Sequence, residues 1–274
     1  MGLADGVRIA VLDASDPLEV LAAEMPPRPV ETLEALDADT LDLPRPWRLL
    51  TPVVAPETWA AGVTYENSRA ARLAESQGAD IYSRVYDAER PELFLKDAAG
   101  RRTVGQRGTI GVRSDATWTV PEPELALVLG RDGEPVAVTV GNDVSSRDIE
   151  GANPLYLPQA KVYAAACALG PALVVPPDWD APFPIHMRIV AEDGTEVFTG
   201  STSTGAMKRT FAELIAYLRR DNPVWPGTVL LTGTGLVPPD DVTLAPGQTV
   251  EITIPGIGTL TNPVGRAEDL VSLR

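Results

Sequence analysis

The stretch Val120-PEPELALVLGRDGEPVAVTVGNDVSSR-Asp148 decides the reading of this chain. Two apolar runs, ELALVL and PVAVTV, flank the polar turn Gly130-Arg131-Asp132-Gly133. That pattern predicts an antiparallel hairpin. Glu122 and Glu124 stand two positions apart on its first strand. Their carboxylates therefore share one face, roughly 7 Å apart along the strand. A turn centred on Arg131 and Asp132 pairs Glu124 with about Thr139 and Glu122 with about Gly141, and sets Asp143 diagonally beside Glu122. Three carboxylates brought together are costly unless a cation neutralises them. All-oxygen ligands favour a hard ion, Mg²⁺, with Mn²⁺ or Ca²⁺ as alternatives. A glutamate is ordinarily a solvated residue. Two of them interrupting an apolar strand, with NDVSSRD at the end of the next, point instead to a site.

Outward from the hairpin the pattern stays largely β. Trp118 to Val120, GPALVV, TVLLTGTG and a last hairpin, QTVEITIPGIGTLTNPV, all read as strands. IHMRIVAEDG running into TEVFTGSTS reads as a further hairpin, with Asp193-Gly194 as its turn. LFLK (Leu93 to Lys96) reads as a short strand. Met207 to Arg220 carries Phe211, Leu214, Ile215 and Leu218 on one stripe and predicts a helix. Thr64 to Gln77 predicts another, stopped at Gly78. Before residue 50, Val7 to Leu12 predicts a strand, Asp16 to Glu24 and Val30 to Ala38 short helices, and Trp47 to Val54 a second apolar run. The expected organisation is a small N-terminal α/β module over residues 1–50 and a catalytic domain over 51–274. The fold class is α/β with β predominant. Strands do not alternate with helices, so a doubly wound nucleotide-binding sheet is excluded.

Composition narrows the partners. The chain has 274 residues with 38 acidic and 23 basic side chains, a net charge of −15. Such a chain repels phosphate backbones and anionic lipid, so neither nucleic acid nor membrane is expected as a partner. A single cysteine, Cys167, excludes an internal disulfide. A single histidine, His186, excludes a His-rich metal site. The N-terminus has no basic region ahead of an apolar core, and no apolar run approaches about 18 residues, so a cytoplasmic setting is expected.

EPELALV, GNDVSSRD, PGTVLLTGTG and GQTVEITIPGIGTLTNPV, in that order, resemble the fumarylacetoacetate hydrolase superfamily. The resemblance runs from near Thr51 to the C-terminus. It implies a mixed β-sandwich roll and one divalent metal held by Glu122, Glu124 and Asp143. YDAERPELFLK (Tyr86 to Lys96), RDIEGANPLYLPQAKVY (Arg147 to Tyr163) and CALGP (Cys167 to Pro171) are similar to the 2-keto-3-deoxy-D-arabinonate dehydratase branch. That similarity implies loss of water from a 2-keto-3-deoxy sugar acid to give 2,5-dioxopentanoate, through a metal-stabilised enolate. It also makes Lys161 an active-site residue. A homo-oligomer is implied as well.

A 2-keto acid can chelate a metal that stabilises the enolate formed when C3 loses a proton. Lys161 then holds the substrate carboxylate or assists proton transfer, with Glu122 beside it. The Thr232-Gly233-Thr234 turn offers N–H and hydroxyl groups to a carboxylate. Arg84, Arg90 and Lys96 offer positive charge to an anionic substrate. Hydrolase members carry a histidine where Ser68 stands here, which counts against hydrolysis of a diketo acid such as an acylpyruvate, or decarboxylation of an oxaloacetate-like acid. A non-catalytic metal or sugar-acid binding module is a third reading. The base is open among Glu66, Glu75, Glu89 and Glu92.

Overall fold

β9 (Pro123–Leu129) and β10 (Pro135–Asp143) form the expected antiparallel hairpin in the computed structural model of the chain. The structure describes all residues except 1, 6–7, 24, 26–27, 67–84 and 272–274. Its register differs from the sequence expectation by two residues: Glu124 pairs with Gly141, and the Asp143 N–H donates to Glu122 O at 3.0 Å. Gly130 N–H bonds to Glu134 O, and the ladder then skips Val136, in a bulge between Pro135 and Ala137. Turn and bulge together slide β10 by two. A slip of two keeps every side chain on its face, so Asp143 comes to lie directly opposite Glu122 instead of diagonal to it.

The hairpin is the middle of a seven-stranded sheet in the order β5 (Glu92–Ala98), β4 (Glu57–Gly62), β15 (Val229–Leu231), β9, β10, β12 (Cys167–Val174), β6 (Thr103–Val104). A second sheet of five strands runs β14 (Glu196–Ser203), β13 (Pro184–Val190), β16 (Thr249–Ile254), β17 (Gly258–Arg266), β7 (Ile110–Val112). Most neighbours are antiparallel, but β15–β4, β12–β6 and β17–β7 are parallel. The result is a mixed β architecture with few helices, as expected. Leu125, Leu127 and Leu129 face Ile185, Met187, Ile189 and Ile252 of the second sheet in the larger core. Ala126 and Val128, on the opposite face of β9, join Ala60, Cys167, Leu169 and Leu231 in a smaller one. Because both faces of β9 are covered, all seven of its residues are buried.

Two short strands, β8 (Thr119–Val120) and β11 (Ser145–Ser146), pair beside the hairpin and lead into α2 (Arg147–Ala152) and α3 (Leu157–Lys161). The N-terminal residues make a three-stranded sheet of β1 (Gly2–Asp5), β2 (Arg8–Leu12) and β3 (Pro29–Glu34), with α1 (Pro17–Ala22) between β2 and β3. Leu18 and Leu21 of α1 pack on the smaller core. The expected helix over Val30–Ala38 is therefore a strand in its first half. Val30 and Thr32 are β-branched and suit the strand that β2 templates. The last helix, α4 (Phe211–Arg219), starts at the first residue of its apolar stripe and not at Met207 as expected, because Thr210 is the cap and its Oγ1 accepts from Glu213 N–H at 3.1 Å. Met207 is extended and bridges to Tyr65 instead. Trp47 to Val54 forms no strand. The helix expected from Thr64 to Gln77 lies, from residue 67 onward, outside the described residues. No described helix is long and apolar enough to cross a membrane.

Candidate metal centre and active site

Glu122, Glu124 and Asp143 meet at the end of β9 and β10, where the smaller core gives way to α2 and α3. One carboxylate oxygen from each lies within 4.8 Å of the others, and all three side chains are buried. The small residues beside them make the space. A Cβ on Gly141, opposite Glu124, would come within 2.3 Å of Leu231 Cδ2.

Three cations surround the carboxylates. Lys161, at the end of α3, donates to Glu122 Oε2 at 2.7 Å, to Asp143 Oδ2 at 3.0 Å and to Ser145 Oγ at 2.5 Å. Arg147, the first residue of α2, pairs with Glu122 Oε1 at 2.8 Å. Lys96 on β5 pairs with Asp143 Oδ1 at 2.5 Å and donates to Val144 O. Glu124 lacks such a pair in this set, and its Oε2 accepts from the Gly233 N–H at 2.6 Å. Burial, then the nearby charges of Asp143 and Glu122, push the Glu124 carboxyl well above the usual carboxylate range; the Gly233 N–H and Lys161 pull it partly back. An electron-rich group of three acidic ligands whose least compensated member resists ionisation is a fitting seat for a hard divalent ion.

Ala61, Gly62, Val63, Phe94 and Thr234 line the cleft with Glu122, Asp143, Arg147 and Lys161. Val63 is β-branched yet has φ 52°, in the left-handed region. Such a backbone costs on the order of 1–3 kcal/mol and persists only where its surroundings dictate it. They do so here: Thr64 Oγ1 donates to Thr232 O at 2.8 Å, and Lys208 N–H donates to Thr64 O at 2.9 Å.

Some residues singled out in the sequence occupy other places than those expected. Lys96 is 0% exposed and turned onto Asp143, and it is not among the residues that line the cleft. Of the Thr232-Gly233-Thr234 turn, Thr232 Oγ1 donates to Leu125 O and Gly233 N–H to Glu124, which leaves Thr234 as the member that lines the cleft. Arg90 lies against the Tyr217 ring, 5.4 Å from its centroid. Arg84, Ser68 and Glu75 lie outside the described residues. His186 is exposed on the outer face of β13. Cys167 is a buried thiol pushed up to about 12, chiefly by burial, which makes it inert.

A description of the C-terminal domain of fumarylacetoacetate (FAA) hydrolase matches residues 58–265. The chain belongs to this family. Over 230 residues it is 52% identical to a probable 2-keto-3-deoxyxylonate dehydratase of Haloferax volcanii, covering 83% of this chain and 79% of that one. Over 222 residues it is 46% identical to the 2-dehydro-3-deoxy-D-arabinonate dehydratase of Saccharolobus solfataricus, covering 79% and 74%. A solved 2-keto-3-deoxy-D-arabinonate dehydratase complexed with magnesium and 2,5-dioxopentanoate superposes with a TM-score of 0.84 at 40% identity, over 96% of this chain and 93% of that one. Within this fumarylacetoacetate hydrolase fold, Phe94 and Val63 line the cleft and Ser145 Oγ accepts from Lys161, three contacts that sequence reasoning missed. None carries a local signature; they are brought there by β5, the turn after β4 and the short β11.

Proposed function

We propose that the chain is a magnesium-dependent dehydratase of a 2-keto-3-deoxy sugar acid such as 2-keto-3-deoxy-D-arabinonate, with 2,5-dioxopentanoate as product. The observation that carries this reading is the buried Glu122–Glu124–Asp143 group with Lys161 between two of its members. The two relatives at 52% and 46% identity, covering 83% and 79% of this chain, are a probable and a named dehydratase of such acids. Glu122, Glu124 and Asp143 would hold the ion. Its chemistry there is Lewis-acid polarisation of a 2-keto oxygen, which acidifies the neighbouring C3.

The remaining work falls to side chains. Arg147 and Lys96 hold the outer oxygens of Glu122 and Asp143, so that these carboxylates present a fixed geometry. Lys161 faces the cleft and, by trading one of its hydrogen bonds, grips the substrate carboxylate or assists proton transfer. Phe94 and Val63 narrow the cleft against water. Arg84 remains our candidate for a further contact with the anionic substrate. Among the described residues no histidine lines the cleft, so a His-activated water, the route to carbon–carbon hydrolysis, has no support there. The same reading makes the protein a cytoplasmic homo-oligomer. Its one thiol is buried and unpaired, and Leu155 and Trp225 stand exposed at 83% and 57%.

The test is turnover of 2-keto-3-deoxy-D-arabinonate with Mg²⁺, with EDTA, and with Glu122→Ala, acylpyruvate being run in parallel. Loss of one water, abolished by chelation and by the substitution, is the expected result. Cleavage of acylpyruvate beside an untouched sugar acid would overturn the reading.

A further inference from the structure

Tyr65 follows the strained turn at Val63 and is 2% exposed. Its backbone is pinned from both sides. Tyr65 itself bridges to Met207, and Thr64 before it is tied to Thr232 and Lys208. Its ring lies over Gly235, where a Cβ would come within 2.5 Å of the ring's Cδ1. The ring is thereby pressed onto the 232–235 loop whose Gly233 N–H holds Glu124.

The phenol oxygen is buried, yet among the described residues it has no hydrogen-bond partner. Buried tyrosine hydroxyls ordinarily find one. This one is held by its backbone and its ring between Val63 and the 232–235 loop, and Val63 and Thr234 line the acidic cleft, so a ligand of that cleft is the partner it lacks. Burial keeps the phenol protonated, which makes it a donor.

We propose that Tyr65 is the proton donor to the hydroxyl that leaves the substrate. This rests on the dehydratase reading above. Hydroxide is a poor leaving group, and the nearby carboxylates Glu122 and Asp143 are engaged by Arg147, Lys161 and Lys96. After C3 has lost its proton, the enolate's electron pair closes the C3–C4 double bond as the C4–O bond breaks. The departing oxygen takes the Tyr65 proton and leaves as water. The proton given up by C3 restores the tyrosinate, so one water is lost and nothing else is consumed. Proton shifts alone then carry the unsaturated product to 2,5-dioxopentanoate.

The experiment compares the wild-type protein with Tyr65→Phe, both loaded with Mg²⁺. Three rates are read: dehydration of the sugar acid, exchange of its C3 hydrogens with D₂O by NMR, and chloride release from an analogue bearing chlorine in place of the C4 hydroxyl. Chloride leaves without a proton. The phenylalanine variant should lose dehydration by about 10²–10⁴-fold in kcat, with C3 exchange and chloride release within a few-fold of wild type. Retained dehydration overturns the assignment. Equal loss of all three rates overturns it too, because a general acid acts only on the hydroxyl. A wild-type protein that leaves the sugar acid intact refutes the dehydratase reading and this inference together, and is recognised before the variant is compared.

Discussion

Lys96 is a fully enclosed cation, and its ammonium is spent on Asp143 and on Val144 O. Removing one partner of a buried ion pair strands the other charge. Lys96→Met should therefore destabilise the ion-free protein by about 3–5 kcal/mol. Saturating Mg²⁺ should return part of that loss, since the ion supplies the missing positive charge to Asp143. Urea melts with and without Mg²⁺ check both halves, and an unchanged midpoint would remove Lys96 from the site's support. Cys167 makes the opposite case. Its thiol is buried and raised to about 12, so it stays a neutral thiol through the neutral range. A thiol reagent at about pH 8 should label it only after unfolding. Rapid labelling of the native protein would show that this part of β12 opens. Lys96 and Arg84 looked alike in the sequence, as basic residues near the cleft. What separated Lys96 was its place on β5 facing Asp143, a contact between distant segments that no local pattern encodes.

The hairpin of β9 and β10 decides the site at the scale of elements. Its strands, its turn and the shared face of its carboxylates were legible, because alternation and turn chemistry are local. Its register was not, because the turn geometry and the bulge at Val136 in the pairing of β9 with β10 carry no signal in the apolar alternation. The even-numbered slip explains why the metal set survived a wrong pairing. Val30 to Ala38 failed for a related reason: a short segment takes the form its neighbour imposes, and β2 imposed a strand. The close approach of β10 to β15 gives the element-scale prediction. Gly141→Ala puts a methyl group 2.3 Å from Leu231 Cδ2, inside a sheet with both faces covered. Overpacking of this kind costs about 1–3 kcal/mol. Because Gly141 pairs with Glu124, the shift should also weaken Mg²⁺ binding, measured by calorimetry on protein that remains folded. A variant with normal stability and normal affinity would show that the two strands have slack.

Taken over the whole molecule, the acidic site is close to electrically balanced. Four buried carboxylates, Glu122, Glu124, Asp143 and Glu150, face three buried cations, Lys96, Arg147 and Lys161. With all ionised, one negative charge is in excess; a divalent ion turns that into one positive charge, which suits a monoanionic 2-keto acid. Without the ion, burial and the charges of Asp143 and Glu122 favour the protonated form of Glu124, whose carboxyl lies well above its ordinary value of 4.5. The sign follows from linkage. A carboxyl raised in the folded state adds stability below the unfolded value, and that stability is lost as pH rises through the raised folded value. The ion-free protein should therefore become easier to unfold as pH climbs out of the acid range, as far as Glu124 is concerned. Mg²⁺ must expel the same proton, so its affinity should rise with pH across that window. Calorimetry in two buffers of different ionisation enthalpy should show proton release on binding that declines as pH rises. At a free Mg²⁺ concentration 100 times its Kd, binding should stabilise the fold by about 2.7 kcal/mol, with EDTA reversing it. Affinity that is flat with pH, with no buffer dependence, would mean that Glu124 is already ionised in the empty site. The balance would then have to be struck elsewhere.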